Sequence, residues 1–181
     1  MSTDISLKKV NLEEFNENML DYFHRYQEVK RVWRIENNKK VIKNISFIED
    51  WDHNEKQIVI QQLKQTLLTG GTVFAAYEAG YRLIGFASLG SQRMGEKEEY
   101  LCLHELYVSE HVRGKGIGKL LFQMCVKEAK SLQVKKLYIS AHSSVETIDF
   151  YVRMGCVDAT WIWQQQVHHE PYDCQLEYVI N

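Results

Sequence analysis

The chain of 181 residues contains one proline, Pro171, and no low-complexity tract, which excludes proline-rich linkers and stalks. It carries no internal repeat, so a solenoid or propeller is excluded as well. Its four cysteines, Cys102, Cys125, Cys156 and Cys174, stand singly, and their spacing assembles neither a zinc ribbon nor a CxxC redox pair. They read as buried thiols in a reducing compartment. No run approaches the roughly 18 apolar residues of a membrane span, and "MSTDISLKKV" lacks the apolar core of a signal peptide. A cytoplasmic protein without membrane contact is expected. Neither sign of charge dominates: 22 Lys and Arg against 24 Asp and Glu leave a formal net charge of −2. Without a basic field to release counterions, nucleic-acid binding is not expected.

What is present is one domain's worth of amphipathic pattern, spanning 1–181. Asn11 with Glu14 reads as a helix start, and Leu12, Phe15, Met19, Tyr22 and Phe23 follow at helical spacing. Val29, Trp33 and Ile35 alternate like a strand before an Asn37-Asn38 turn. Asp52 and Glu55 form a second capping box, and the helix carrying Ile60, Leu63 and Leu67 ends at Gly70-Gly71. "TVFAAYEAGYRLIGFASLG" reads as a hairpin turning at Ala79-Gly80, "GSQRMGEKEE" as a polar loop, and "YLCLHELYV" as a strong strand. A helix from Ile117 and the strand "KKLYISAHS" come next. Ser143 and Glu146 cap a short helix that stops at Gly155, and "ATWIWQQQ" and "CQLEYVI" read as two last strands. Strand, tight turn, helix and strand over 100–142 make a right-handed crossover, which requires parallel pairing of its two strands. Antiparallel hairpins flank it, so the class is α+β around one central mixed sheet.

The segment with the most chemistry is "EHVRGKGIGKLL", 110–121, where Gly114, Gly116 and Gly118 alternate with Lys115 and Ile117 before Lys119. Glycines there let the backbone turn with its N–H groups outward, at the positive end of the following helix. That is a seat for a phosphate or diphosphate, with Arg113, Lys115 and Lys119 adding charge. A dinucleotide fingerprint is excluded because the third glycine falls one place early. A nucleotide P-loop is excluded because Leu120 follows Lys119 where a hydroxyl belongs.

The hexamer Arg113-Gly114-Lys115-Gly116-Ile117-Gly118, inside "ELYVSEHVRGKGIGKLLF", resembles the acyl-CoA-binding signature of the GNAT superfamily of N-acyltransferases. "SSVETIDFYVRMGC" resembles the family's second signature through Phe150, Tyr151 and Gly155. It departs at Ser144, Thr147 and Cys156, where asparagine, alanine and phenylalanine are usual. The likeness runs from about 72 to 160.

The resemblance implies a mostly antiparallel, twisted sheet of about six to seven strands with helices on both faces, splayed between its two parallel strands. It implies that Leu106, Tyr107 and Val108 pair with the pantetheine arm, that the amides of 114–119 take the diphosphate, and that Ser144 and Thr147 lie nearby. The implied activity is direct acetyl transfer from acetyl-CoA to a primary amine, without a metal. A non-catalytic acyl-CoA-binding module is the alternative, and a homodimer stays open. An alkyl ammonium of pKa near 10.4 is nucleophilic in roughly one molecule in two thousand at pH 7, so a base is needed. His104 and Glu105 are the candidates, and strand alternation lets only one face the substrate unless a bulge intervenes. The resemblance gives Tyr151 the leaving thiolate. Trp161 and Trp163 line the acceptor pocket or the core. His168, His169, Glu170, Asp173 and Cys174 show no metal-ligand spacing.

Overall fold

A computed structural model describes residues 5–181. Seven strands form one sheet in the order β1-β4-β5-β6-β7-β9-β8. They are β1 (Ser6–Lys9), β4 (Thr72–Glu78), β5 (Arg82–Leu89), β6 (Tyr100–Val108), β7 (Lys136–Ala141), β8 (Val157–Asp158) and β9 (Cys174–Val179). All neighbours pair antiparallel except β6 and β7, which are joined through α2 (Ile117–Ser131). A separate hairpin, β2 (Gln27–Glu36) and β3 (Lys39–Glu49), turns at Asn37 and Asn38, both with positive φ as a tight two-residue turn requires.

Helices cover both faces, and strand alternation sets which residues meet them. On β4, Phe74 and Ala76 join the core under α2, while Val73 and Ala75 join the one under α1 (His53–Leu68). The α1 capping box is formed as the sequence predicts: Glu55 N donates to Asp52 Oδ1 at 2.9 Å and Asp52 N to Glu55 Oε2 at 2.8 Å. Its other end is a Schellman motif, Gly71 N donating to Thr66 O at 2.8 Å with Gly70 at φ +85°.

Three local readings are corrected. The helix expected from Leu12 to Phe23 is one 3₁₀ turn, Leu12–Glu14, followed by irregular turns. Asn18 N donates to the Asn16 side chain at 3.0 Å, an alternative that helix-interior bonding cannot outcompete. The apolar spacing still serves the core, because Phe15, Leu20 and Phe23 are buried under α1. The short helix α3 (Val145–Arg153) is capped by Ser144, not Ser143. "ATWIWQQQ" forms no strand: Thr160 N donates to the Glu177 side chain at 2.9 Å, and Trp163 leads into a short helix, α4 (Gln164–His169). Trp161 packs against Tyr100 and Tyr138, and Trp163 against Tyr138.

Those aromatics roof a buried acid. Glu177 accepts from Tyr100 Oη at 2.5 Å, Lys136 Nζ at 2.9 Å, and Thr160 N and Oγ1 at 2.9 and 3.0 Å. Burial would raise its carboxyl, but these four donors outweigh it and hold the group at about 2. Ionised Glu177 therefore contributes stability that is complete above the ordinary carboxylate pKa and lost as pH falls through about 2. Glu177→Gln is expected to cost about 2–3 kcal/mol in urea unfolding at pH 7, with the gap from wild type shrinking between pH 4.5 and 2.

Candidate active site

The glycine segment owes its conformation to two different demands. Gly114 and Gly116 sit at φ +77° and +84°, where side chains are strained although a Cβ would meet nothing within 4 Å. Gly118 has ordinary backbone, but a Cβ there would lie 3.3 Å from the Phe150 ring, so it sets how closely α2 and α3 approach. Gly116 caps α2 without a side chain, and the first helical bond runs from Leu120 N to Gly116 O at 3.1 Å. The amides from Gly114 to Lys119 donate to no backbone carbonyl, and Lys115 and Lys119 are exposed beside them without an acidic partner among the described residues. Arg113 donates from Nε to Val108 O at 3.0 Å, which ties the loop to the end of β6.

The loop opens onto a cleft of about 590 Å³ made by the sheet itself. β6 and β7 pair only at Tyr100↔Lys136, Leu101↔Leu137 and Cys102↔Tyr138. Beyond Cys102 the strands part. Leu106, Tyr107 and Val108 of β6 and Ser140 and Ala141 of β7, with His142 just after it, then line the cleft. Tyr151 lies in the same cleft, 7% exposed, and its hydroxyl makes no hydrogen bond among the described residues. Burial pushes that phenol far above its ordinary value, so it stays protonated.

A β-bulge decides the two candidate bases. The register passes from Ser88↔Glu105 to Leu89↔Leu103, leaving His104 as an extra residue on β6. Side-chain parity changes across it: Leu101 and Leu103 face α2, and so do Leu106 and Val108 further on. Tyr107 therefore joins the opposite core. Glu105, two residues before Tyr107, shares that opposite face, where both Glu105 Oε2 and the facing Ser88 Oγ are buried without a hydrogen-bond partner. Desolvation raises the Glu105 carboxyl to about 7. His104 lines the cleft, its ring so close to Gly90 that a Cβ there would sit 2.5 Å from Nε2. Loss of water on that side lowers the imidazole below its usual value, so it is neutral at pH 7.

Ser144 and Thr147 are placed less simply. Ser144 is fully buried and spends its hydroxyl on α3, accepting from Thr147 N at 3.3 Å and donating to Thr147 Oγ1 at 2.8 Å. Gln27 Nε2 also donates to it, at 3.2 Å. Thr147, not Ser144, lines the cleft. The β2–β3 hairpin covers this end of β7: Trp33 N donates to Ser143 O at 2.8 Å, and Glu49 lies 3.6 Å from His142. It brings Gln27, together with Arg25 just before it, into the cleft, along with His142 and Arg153 from elsewhere. None of these four carries a sequence motif. Among the described residues no cluster of His, Cys, Asp and Glu suits a metal ion, and no helix is long and apolar enough to cross a membrane.

A family model for the acetyltransferase (GNAT) domain matches residues 9–164. A sequence search among curated proteins finds no match. Among solved structures, nourseothricin acetyltransferase superposes with a TM-score of 0.73 at 12% identity, over 99% of this chain and 100% of that one. A protein from Bacillus anthracis str. Ames, solved in complex with acetyl coenzyme A, gives 0.68 at 14% identity over 98% of each chain. An N-acetyltransferase from Thermoplasma acidophilum, solved in complex with coenzyme A, gives 0.59 at 16% identity, over 97% of this chain and 99% of that one. These low identities speak for the fold, and the family model spans most of the sequence. The fold is thus shared with acetyltransferases of known structure, and the chain belongs to the GNAT acetyltransferase family.

Proposed function

We propose that this protein transfers the acetyl group of acetyl-CoA directly to a primary amine, with Glu105 as the base. The observation that carries this reading is a carboxyl near pKa 7, with an unpartnered oxygen, at the point where the sheet opens. A buried acid kept for structure would have its donors, as Glu177 does. An amine N–H is the donor that Glu105 Oε2 and Ser88 Oγ lack.

The cleft suits the coenzyme in charge and shape. Unused amides of Gly114–Lys119, with Lys115 and Lys119, are the donors a diphosphate requires. The unpaired edge of β6 at Leu106 and Tyr107 offers main-chain groups to the pantetheine amides, while the Val108 carbonyl is already taken by Arg113. Bound there, acetyl-CoA supplies an activated thioester. Glu105 takes the proton that the amine sheds, and His104, neutral and beside the opening, borders the acceptor's path. Tyr151, held protonated, donates a hydrogen bond towards the departing sulfur. No cysteine serves as a nucleophile: burial raises all four thiols, Cys102 and Cys156 to about 12, so none is a thiolate at pH 7.

Glu105 works ionised, and its raised pKa means that kcat/KM climbs with pH through about 7. Glu105→Gln is expected to lower kcat about 10²-fold or more, to flatten that limb, and to melt no lower than wild type, since it removes only a desolvated acid. An unchanged pH–rate profile would remove Glu105 from the role. Gly116→Asp places a strained carboxylate against the loop amides. Calorimetric titration with desulfo-coenzyme A should then give no heat while circular dichroism stays native, and undiminished affinity would sink the loop assignment. Tyr151→Phe is expected to reduce kcat while leaving coenzyme affinity within about twofold.

A further inference from the structure

Arg25 is a cation in the cleft that acetyl transfer itself does not use. It is 7% exposed, yet no Asp or Glu among the described residues lies within ion-pairing reach of it. Nη1 donates to Gln27 Oε1 at 3.1 Å, while Nε is shielded from water and has no acceptor. The guanidinium carbon sits 5.1 Å from the Tyr107 ring centre and 5.8 Å from that of Trp51. The segment is pinned at its neighbour: His24 N donates to Ser109 Oγ at 2.9 Å, and Glu110 N to His24 O at 2.9 Å. Arg25 is thereby fixed just past the end of β6, on the face shared by Tyr107 and Glu105.

Burying a guanidinium without a counter-charge is costly, and two aromatic faces offset only part of that cost. An apolar side chain of similar size would stabilise the fold better. The missing partner is an anion, and the planar fork of arginine fits a carboxylate through two parallel bonds. The coenzyme's diphosphate has its own donors at the start of α2, the unused amides of Gly114–Lys119.

Resting on the acetyl-transfer reading, we infer that Arg25 binds a carboxylate of the acceptor, which is therefore an amino acid. Arg25 holds its carboxylate while its amine meets Glu105. Arg25 and Glu105 form no ion pair among the described residues, so anion and base are separate points on the face that carries Tyr107.

The test uses the whole protein with saturating coenzyme A and the common amino acids, each paired with its carboxamide; lysine, lysinamide and cadaverine form one such series. Binding is read by calorimetry, and turnover with acetyl-CoA by thiol release. At least one amino acid should bind and react about tenfold or more better than its amide. In Arg25→Gln that ratio should fall to about one with coenzyme affinity unchanged, and Arg25→Lys should keep part of it. Arg25→Met should melt no lower than wild type, which a structural role would not allow. A ratio near one across the wild-type panel overturns the inference, as does a tenfold loss of coenzyme affinity in Arg25→Gln. Carboxylate-dependent binding lost in Arg25→Gln, with no thiol released from any amine, would support the anchor and reject acetyl transfer instead.

Discussion

Three residue pairs of parallel ladder hold β6 to β7, and the chemistry of this protein begins where that ladder stops. A sheet that surrenders main-chain hydrogen bonds in its middle exposes polar backbone that must be satisfied from elsewhere. Here the gap is held open from both sides. β5 continues to pair with β6 as far as Val108, and β9 pairs with β7 along its full length to Ala141. Each half of the sheet thus keeps its own pairing beside the gap, and the opening between them is part of the fold.

The loop beside the opening shows how one motif can satisfy unrelated requirements. Two of its glycines supply left-handed backbone, which turns the amides outward, and the third lets α2 lie against Phe150 of α3. Loop conformation and helix packing are thereby coupled, because the same few residues set the position of α2 relative to the cleft. Arg113, whose side chain bonds the Val108 carbonyl, is as much a tie between loop and strand as a charge.

Two acids on the same sheet illustrate how surroundings choose a carboxyl's state. Glu177 is enclosed by Tyr100, Lys136 and Thr160 and is held at about 2, whereas Glu105 has an unbonded oxygen and rises to about 7. Both are withdrawn from water; the difference is the number of donors. Arg25 has the opposite charge and the same predicament as Glu105, stacked on Tyr107 without an anion. The face that carries Tyr107 thus holds an unpartnered carboxyl oxygen on Glu105 and an unpartnered guanidinium nitrogen on Arg25.

Much of this was legible in residues 52–142, because there the signals are local. The Asp52–Glu55 capping box, Gly70, Gly80 and the glycine loop act within a few residues, and the apolar run over 100–108 marks β6 within its observed bounds. Where local and distant interactions competed, the distant ones prevailed. The apolar spacing over 12–23 is real, but it fits an irregular wrap around α1 as well as a helix. Trp161 and Trp163 keep their shared side through contacts to Tyr100 and Tyr138, without strand pairing. By itself, then, the sequence determined the family, the crossover and the glycine turn at the start of α2, since these depend on short-range signals. Only the tertiary structure decided that a bulge at His104 turns Glu105 away from the face of Leu101 and Leu103, and that Arg25 arrives from some eighty residues away to pack on Tyr107. Burial and electrostatic partnership are set through space, and chain order does not record them.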